Sequence, residues 1–332
     1  MSYTKISKEN YLKMYQYNEI NYWSRKLNKD SLSFDLELIG QEKKKIDKLN
    51  LFKNNIDNIN LETSSYCNRK CGYCPVSKYG RNYKNIIDEK LLDYILENLK
   101  SIDYNKGITL NLYNEPLADK NFTHHLDKIS KCLPNAFIFS NSNGDYVKSI
   151  KDLLKLEDAG LKKLKITLHA PKNSDWNKDF MINSLKKFAK RINFDLDKKH
   201  YENLEFCFKL DSLYCIVQCP NWFEDGNYRG GSISYNKTQF LRNQPCVKPF
   251  REFTIYYDGS ITQCCDIYYG NNSRKNKIET IDPINKVSIY DIYVSKKMSK
   301  IRRELFDWSD KSDACSNCSS KDLSTKSDDK LR

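Results

Sequence analysis

The chain has 332 residues, 39% of them hydrophobic and 13% aromatic, with a formal net charge of +13 and a mean hydropathy of −0.74. That length can bury a sizeable core, and no apolar run approaches the ~20 residues a membrane span needs. The opening Met1-Ser-Tyr-Thr-Lys-Ile lacks the apolar stretch of a secretory signal, so a cytoplasmic location is expected. Of the 56 basic residues 45 are Lys and 11 are Arg, interleaved with acids as in Asp152-Leu-Leu-Lys155-Leu-Glu157-Asp158. Scattered lysine does not mark a nucleic-acid surface, which favours clustered Arg with aromatics between. Twelve cysteines without a signal segment point to metal chemistry, not to a disulfide framework.

Residues 1–56 read as a helical lead-in, with Tyr11, Met14, Tyr15, Ile20 and Tyr22 on one amphipathic stretch and the run 41–48 as a solvated face. From Ile56 the texture becomes alternating short apolar runs and amphipathic helices, the pattern of a parallel sheet. A strand over 58–65 runs into a cysteine-rich loop. A helix capped by Asp88 follows, with Leu91, Leu92, Ile95, Leu96 and Leu99 on one face. Strands are expected over 108–113, 136–140, 164–169, 204–210 and 213–217, separated by helices over 122–133, 147–158 and 182–192. Past about residue 220 this rhythm stops. Phe253–Tyr257 and Ser260–Cys264 read as a hairpin about Asp258-Gly259, and a helix over 289–306 leads to Cys315-Ser-Asn-Cys318. Four segments follow: a lead-in over 1–56, a barrel over 57–225, a small domain over 226–320 and a charged tail over 321–332.

The loop carries Cys67-Asn-Arg-Lys-Cys71-Gly-Tyr73-Cys74, with no further cysteine or histidine nearby. Three thiolates leave one iron of a cubane cluster open to a reactant, whereas a structural zinc site wants a closed shell of four. The C-x3-C-x2-C spacing resembles the radical S-adenosylmethionine (SAM) enzymes. That resemblance implies an α/β fold, a partial (βα)6-type barrel with its chemistry at the carboxyl ends of the strands. It also implies roles for particular residues. Cys67, Cys71 and Cys74 would hold a [4Fe–4S] cluster, and Tyr73 would lie by the adenine of SAM. Glu115, in Asn114-Glu115-Pro116-Leu117, would accept from the SAM ammonium, with Asn114 where the family has glycine. Ser142-Asn143-Gly144 is similar to the family's Thr-Asn-Gly. Thr167 would touch the ribose, and Lys209 would meet the SAM carboxylate. His169, two residues after Thr167 on the same strand face, reads as a pocket-edge histidine.

Cys246, Cys264, Cys315 and Cys318 form a second set, four thiolates from separated segments, suited to zinc or to a fully ligated iron–sulfur cluster. With the hairpin between Cys246 and Cys264, this region resembles the shortened SPASM module called a twitch domain, which carries an auxiliary [4Fe–4S] cluster. Cys265 is spare: related epimerases use a cysteine near that cluster to return a hydrogen atom, and related dehydrogenases pass an electron to the cluster. Arg229 and Asp266 are candidate substrate contacts. Cys132, Cys207 and Cys215 read as small buried hydrophobes. The expectation is a radical SAM oxidoreductase or epimerase with two [4Fe–4S] clusters, SAM and an external electron donor such as flavodoxin or ferredoxin. Its substrate would be a small polar sugar, aminocyclitol or nucleotide-sugar. Peptide modification is the alternative within the class, and a zinc-stabilised nucleic-acid-binding protein the alternative outside it.

Overall fold

The computed structural model describes residues 3–4, 45–81, 84–170, 176–226, 229–233, 239–246, 248–270, 276–306 and 309–318. The expected lead-in helix around Tyr11–Tyr22, the start of the connector at Asn227 and Tyr228, and the charged tail lie outside these residues. Helix α1 (Lys45–Asn55) enters strand β1 (Asn58–Leu61), and the cysteine loop with the short helix α2 (Pro75–Tyr79) comes next. Helix α3 (Glu89–Lys100), strand β2 (Gly107–Thr109), helix α4 (Phe122–Cys132), strand β3 (Phe137–Ser142), helix α5 (Ile150–Asp158) and strand β4 (Lys163–Thr167) continue the alternation. Helices α6 (Lys178–Arg191) and α7 (Lys198–Asn203) then lead to strands β5 (Glu205–Lys209) and β6 (Tyr214–Gln218). The last part holds β7 (Glu252–Ile255), β8 (Ser260–Thr262), β9 (Glu279–Thr280), α8 (Ile289–Tyr293) and α9 (Lys296–Phe306).

Local chemistry explains the helices. Asp88 caps α3 by accepting from the backbone N–H of Lys90 at 3.0 Å and Leu91 at 3.2 Å, and the leucine face expected there is buried. Helix α5 starts at Ile150, three residues later than expected, because Ser149 and Asp152 form a reciprocal capping box. The expected helix over 289–306 is two helices, broken at Val294 and Ser295.

The sheet order is β9-β8-β7-β1-β2-β3-β4-β6-β5, and the six strands from β7 to β6 run parallel. Two features differ from the expected barrel. Strand β5 is antiparallel to β6, with Lys209 paired to Tyr214. Only four residues join the two strands, too few for a parallel crossover, so a hairpin is forced. The hairpin β7–β8 also continues the barrel sheet: β7 lies parallel to β1 in the register Ile59↔Phe253. Its turn, with Gly259 at φ +77°, is the expected Asp-Gly turn.

A buried ion pair ties the first strand to the later hairpin. Arg81 Nη1 donates to Glu62 Oε1 at 2.6 Å, and both side chains are at most 1% exposed. The same carboxylate oxygen accepts from Tyr113 N at 3.0 Å, and Arg81 Nη2 donates to the Tyr269 carbonyl at 3.0 Å. The rings of Tyr256 and Tyr268 lie 5.5 Å and 5.3 Å from the guanidinium carbon. Removing one member of such a pair strands the other charge in the interior. Arg81→Met is therefore expected to cost about 3–5 kcal/mol in urea unfolding, against about 0.5 kcal/mol or less for the exposed Lys131→Met. Equal shifts in the two variants would mean the pair holds nothing together.

Candidate active site

The site is built at the carboxyl ends of the parallel strands. After β1 the loop turns so that Cys74 N donates to the Cys71 carbonyl at 2.9 Å and Ser77 Oγ donates to the same oxygen at 2.5 Å. Pro75 opens α2, where its missing N–H costs nothing. The thiols of Cys67, Cys71 and Cys74 lie within electrostatic reach of one another, and burial pushes all three up, Cys67 to about 12. Binding iron would displace those protons, since the thiolate is the ligand.

Arg69, inside the loop, anchors it to the turn after β3. Its Nε and Nη2 donate to Asp145 Oδ2 and Oδ1 at 2.7 Å and 2.6 Å, a bidentate pair. Asn68 Nδ2 donates to Asp145 Oδ2 at 2.8 Å, and Asn143 Nδ2 donates to Asn68 Oδ1 at 2.8 Å. Sequence reasoning missed Arg69, Asp145, Glu62 and Arg81, because long-range ion pairs leave no local pattern.

Glu115 is 2% exposed and accepts from Ser142 Oγ at 2.8 Å, Asn143 N at 2.7 Å and Leu117 N at 3.1 Å. Burial raises its carboxyl to about 7 despite these donors. Asn114 closes the turn locally, its Oδ1 accepting from Leu112 N at 3.1 Å and its Nδ2 donating to Ser64 Oγ at 3.2 Å. Thr167 ends β4 and its hydroxyl accepts from Gln218 Nε2 at 3.4 Å. Tyr73 and His169 meet, Tyr73 Oη lying 2.5 Å from His169 Nδ1. Burial lowers His169 to about 4, so its ring is neutral beside the Tyr73 hydroxyl. Trp222 lies beside Tyr73, ring centroids 6.3 Å apart.

Lys209 is not in this site. The antiparallel turn of β5 puts it at the amino end of the sheet, in a groove with Lys162, Lys163 and Tyr214, so the expected contact with the SAM carboxylate is withdrawn. Cys207 is corrected too: it is exposed, while Cys215 is buried in the core as expected and Cys132 is half-buried.

The second cysteine set surrounds one cavity. Cys246, Cys264, Cys315 and Cys318 line it together with Arg242, Lys248, Gln263 and Asp266, and Cys265 is not among the lining residues. The two cysteine sets are connected through Asp266, which is nearly fully buried. Arg229 Nη1 donates to its Oδ1 at 2.9 Å, and Lys248 Nζ bonds its Oδ2. Arg229 is also electrostatically coupled to Cys74 of the first set, to Tyr113 and to Cys265. It holds φ +46°, a sparsely populated backbone for a side-chain-bearing residue. The Tyr113 hydroxyl is buried with no hydrogen-bond partner among the described residues. No cysteine is in a disulfide.

A parallel sheet with three thiols in the loop after its first strand, and four more around a separate cavity, defines a radical SAM protein with an additional iron–sulfur domain. The comparisons agree. The radical SAM superfamily model matches residues 61–210 and the SPASM iron–sulfur cluster-binding domain matches residues 246–319, so the chain is a radical SAM enzyme with a C-terminal SPASM domain. A radical SAM domain works with a [4Fe–4S] cluster and SAM, and a SPASM domain adds further cluster binding; three and four thiols are the donor chemistry such clusters take. The chain is 25% identical over 268 residues to the S-adenosyl-L-methionine-dependent 2-deoxy-scyllo-inosamine dehydrogenase of Niallia circulans, covering 80% of this chain and 94% of that protein. It shares its fold with BtrN in complex with AdoMet and 2-DOIA, at 22% identity and a TM-score of 0.58 over 82% of this chain and 96% of that one. An open conformation of BtrN matches at 22% identity and a TM-score of 0.54, over 82% and 95%.

The turn after β3 tests the geometry. Gly144 holds φ +74°, and a Cβ there would lie 2.7 Å from Ile166 Cγ2. Gly144→Ala is expected to cost about 1–3 kcal/mol in urea unfolding. A neutral result would show that the turn relaxes freely.

Proposed function

We propose that this radical SAM oxidoreductase dehydrogenates an aminocyclitol or a closely related small polyol. One observation carries the reading. Beside the second cysteine set, Arg229 pairs with the buried Asp266, and within electrostatic reach of both, the buried Tyr113 hydroxyl has no hydrogen-bond partner among the described residues. A guanidinium, a carboxylate and a phenol grouped there suit a hydroxyl-rich molecule, one of whose hydroxyls would satisfy Tyr113. The dehydrogenase relative, which spans most of the chain, points to the same substrate class.

Bound at the first cluster, SAM supplies the 5′-deoxyadenosyl radical that takes a hydrogen atom from substrate carbon. The chain's own residues bind and orient. Cys67, Cys71 and Cys74 would hold the first cluster. Glu115, set by Ser142 and Asn143, would accept from the SAM ammonium, Tyr73, beside His169, would lie by the adenine and Thr167 would lie by the ribose. Arg229 and Asp266 fix the substrate hydroxyl whose carbon is oxidised. Cys246, Cys264, Cys315 and Cys318 would hold the auxiliary [4Fe–4S] cluster, which would supply a one-electron acceptor. The domain limits proposed are a barrel over 57–225 and a cluster domain over 226–320. A reducing cytoplasm and a soluble one-electron carrier such as flavodoxin or ferredoxin complete the reading. No helix among the described residues is long and apolar enough to cross a membrane.

A second reading, epimerisation, has its own observation. Cys265 lies outside the lining of the cluster cavity, with Lys248 Nζ 3.9 Å from its Sγ, near the Asp266–Arg229 pair. Its thiol there is free to return a hydrogen atom to a substrate radical.

Anaerobically reconstituted protein is expected to bind about eight irons, and Cys264→Ala about four, with Cys265→Ala unchanged. Replacing Cys67, Cys71 and Cys74 by Ala should abolish 5′-deoxyadenosine formation. Stoichiometric zinc in place of iron would sink the enzyme reading. Incubation with 2-deoxy-scyllo-inosamine and related cyclitols separates the outcomes: a ketone supports dehydrogenation, and an epimer lost in Cys265→Ala supports the second reading. Because Glu115 titrates near 7 and only its carboxylate attracts an ammonium, SAM affinity should fall up to about tenfold per pH unit below 7. Glu115→Gln should bind SAM more weakly and without that slope; an identical slope would remove Glu115 from the site.

A further inference from the structure

The cavity ringed by Cys246, Cys264, Cys315 and Cys318 is lined by two cationic side chains and one carboxylate. Arg242 is 3% exposed and fixed by backbone carbonyls: its Nη2 donates to Pro245 O at 2.7 Å and its Nε to Gln244 O at 3.2 Å. Its own backbone is pinned to the other half of the cysteine set, Arg242 N donating to Ser316 O at 2.8 Å. A guanidinium does not lose its proton in a protein, so this charge is permanent. Lys248, on the opposite side of Cys246 in sequence, has a side chain 15% exposed and reaches Asp266, whose other oxygen is already neutralised by Arg229. Gln263 adds a donor, its Nε2 3.8 Å from Cys315 Sγ. The first cysteine set differs: the guanidinium in its own loop, Arg69, is closed off by the bidentate Asp145.

We propose that Lys248 and Arg242 hold the reduction potential of the auxiliary cluster up, so that it accepts the electron leaving the substrate. This rests on the reading that the four cysteines hold a [4Fe–4S] cluster. Four thiolates make such a cluster anionic, and taking one electron makes it more negative by one charge. Fixed cations in a low-dielectric lining favour that reduced form, and net charge and hydrogen bonds to sulfur are the levers that set iron–sulfur potentials. Lys248 and Arg242 are positioning residues in this sense, acting through the cluster and not on the substrate.

The test uses the chain with Cys67, Cys71 and Cys74 replaced by Ala, so that the auxiliary cluster alone is titrated with mediators and followed by electron paramagnetic resonance of its reduced form. Lys248→Gln is expected to shift the one-electron equilibrium about tenfold towards the oxidised cluster, a midpoint lower by about 59 mV. Asp266→Asn removes the opposing charge and should move the midpoint the other way, while Lys248→Arg should leave it in place. Shifts of opposite sign are not what a merely structural role gives. A midpoint unmoved in both Lys248→Gln and Asp266→Asn, or moved the same way in both, would overturn the proposal. If Lys248→Gln fails to load iron, the directions of Asp266→Asn and Lys248→Arg decide. A parent chain without about four irons would instead refute the auxiliary cluster itself, and with it the reading above.

Discussion

The Glu62–Arg81 pair is the constraint on which the arrangement of the site depends. Glu62 leaves the end of β1, and Arg81 closes the segment that carries the three loop cysteines. The guanidinium lies among Tyr256 and Tyr268 of the later hairpin region. The same carboxylate holds the backbone of Tyr113, and the Tyr113 ring packs edge-on against Tyr268 at 5.1 Å. One buried charge pair therefore fixes the cysteine loop, the second strand's exit and the entry to the auxiliary cysteine set. Two charges in a dry interior tolerate little displacement, since separation leaves each unsolvated.

Sheet continuity reinforces that constraint. Because β7 pairs with β1, the auxiliary hairpin is part of the barrel's own sheet, and its turn at Gly259 packs on Leu91 of α3. Helix α8 adds a second attachment, with Tyr290 Oη bonded to the Asn98 carbonyl, and Phe52 of α1 packs edge-on against Phe253, Tyr290 and Tyr293. Edge-on aromatic pairs add about 0.5–1.5 kcal/mol each beyond the area they bury. The two cysteine sets thus sit on parts held to one another by backbone ladders and packed rings.

Charge is distributed unequally between the two cysteine sets. Around the first, Arg69 is spent on Asp145, and Glu115 is buried with three donors on it. Around the second, Arg242 and Lys248 face a single carboxylate that Arg229 shares. Asp266 both lines the cavity of the second cysteine set and pairs with Arg229.

Much of this was readable from the chain. The C-x3-C-x2-C spacing, the Asp88 cap, the leucine face of α3 and the Asp258-Gly259 turn are short-range patterns, and each appears where periodicity and turn chemistry put it. The short link between β5 and β6 was also readable: four residues permit a hairpin and not a crossover, and reading 204–210 as a parallel strand misplaced Lys209. Other features lie beyond local pattern. Arg69 with Asp145, Glu62 with Arg81, and Arg229 with Asp266 are separated by 76, 19 and 37 positions. Nothing in the flanking residues marks them as partners. The sequence alone determined which thiols are available and what chemistry their spacing suits. Only the tertiary structure decided which charges are buried together, and that Cys264 and not Cys265 faces the cavity, because pairing across a fold is set by packing.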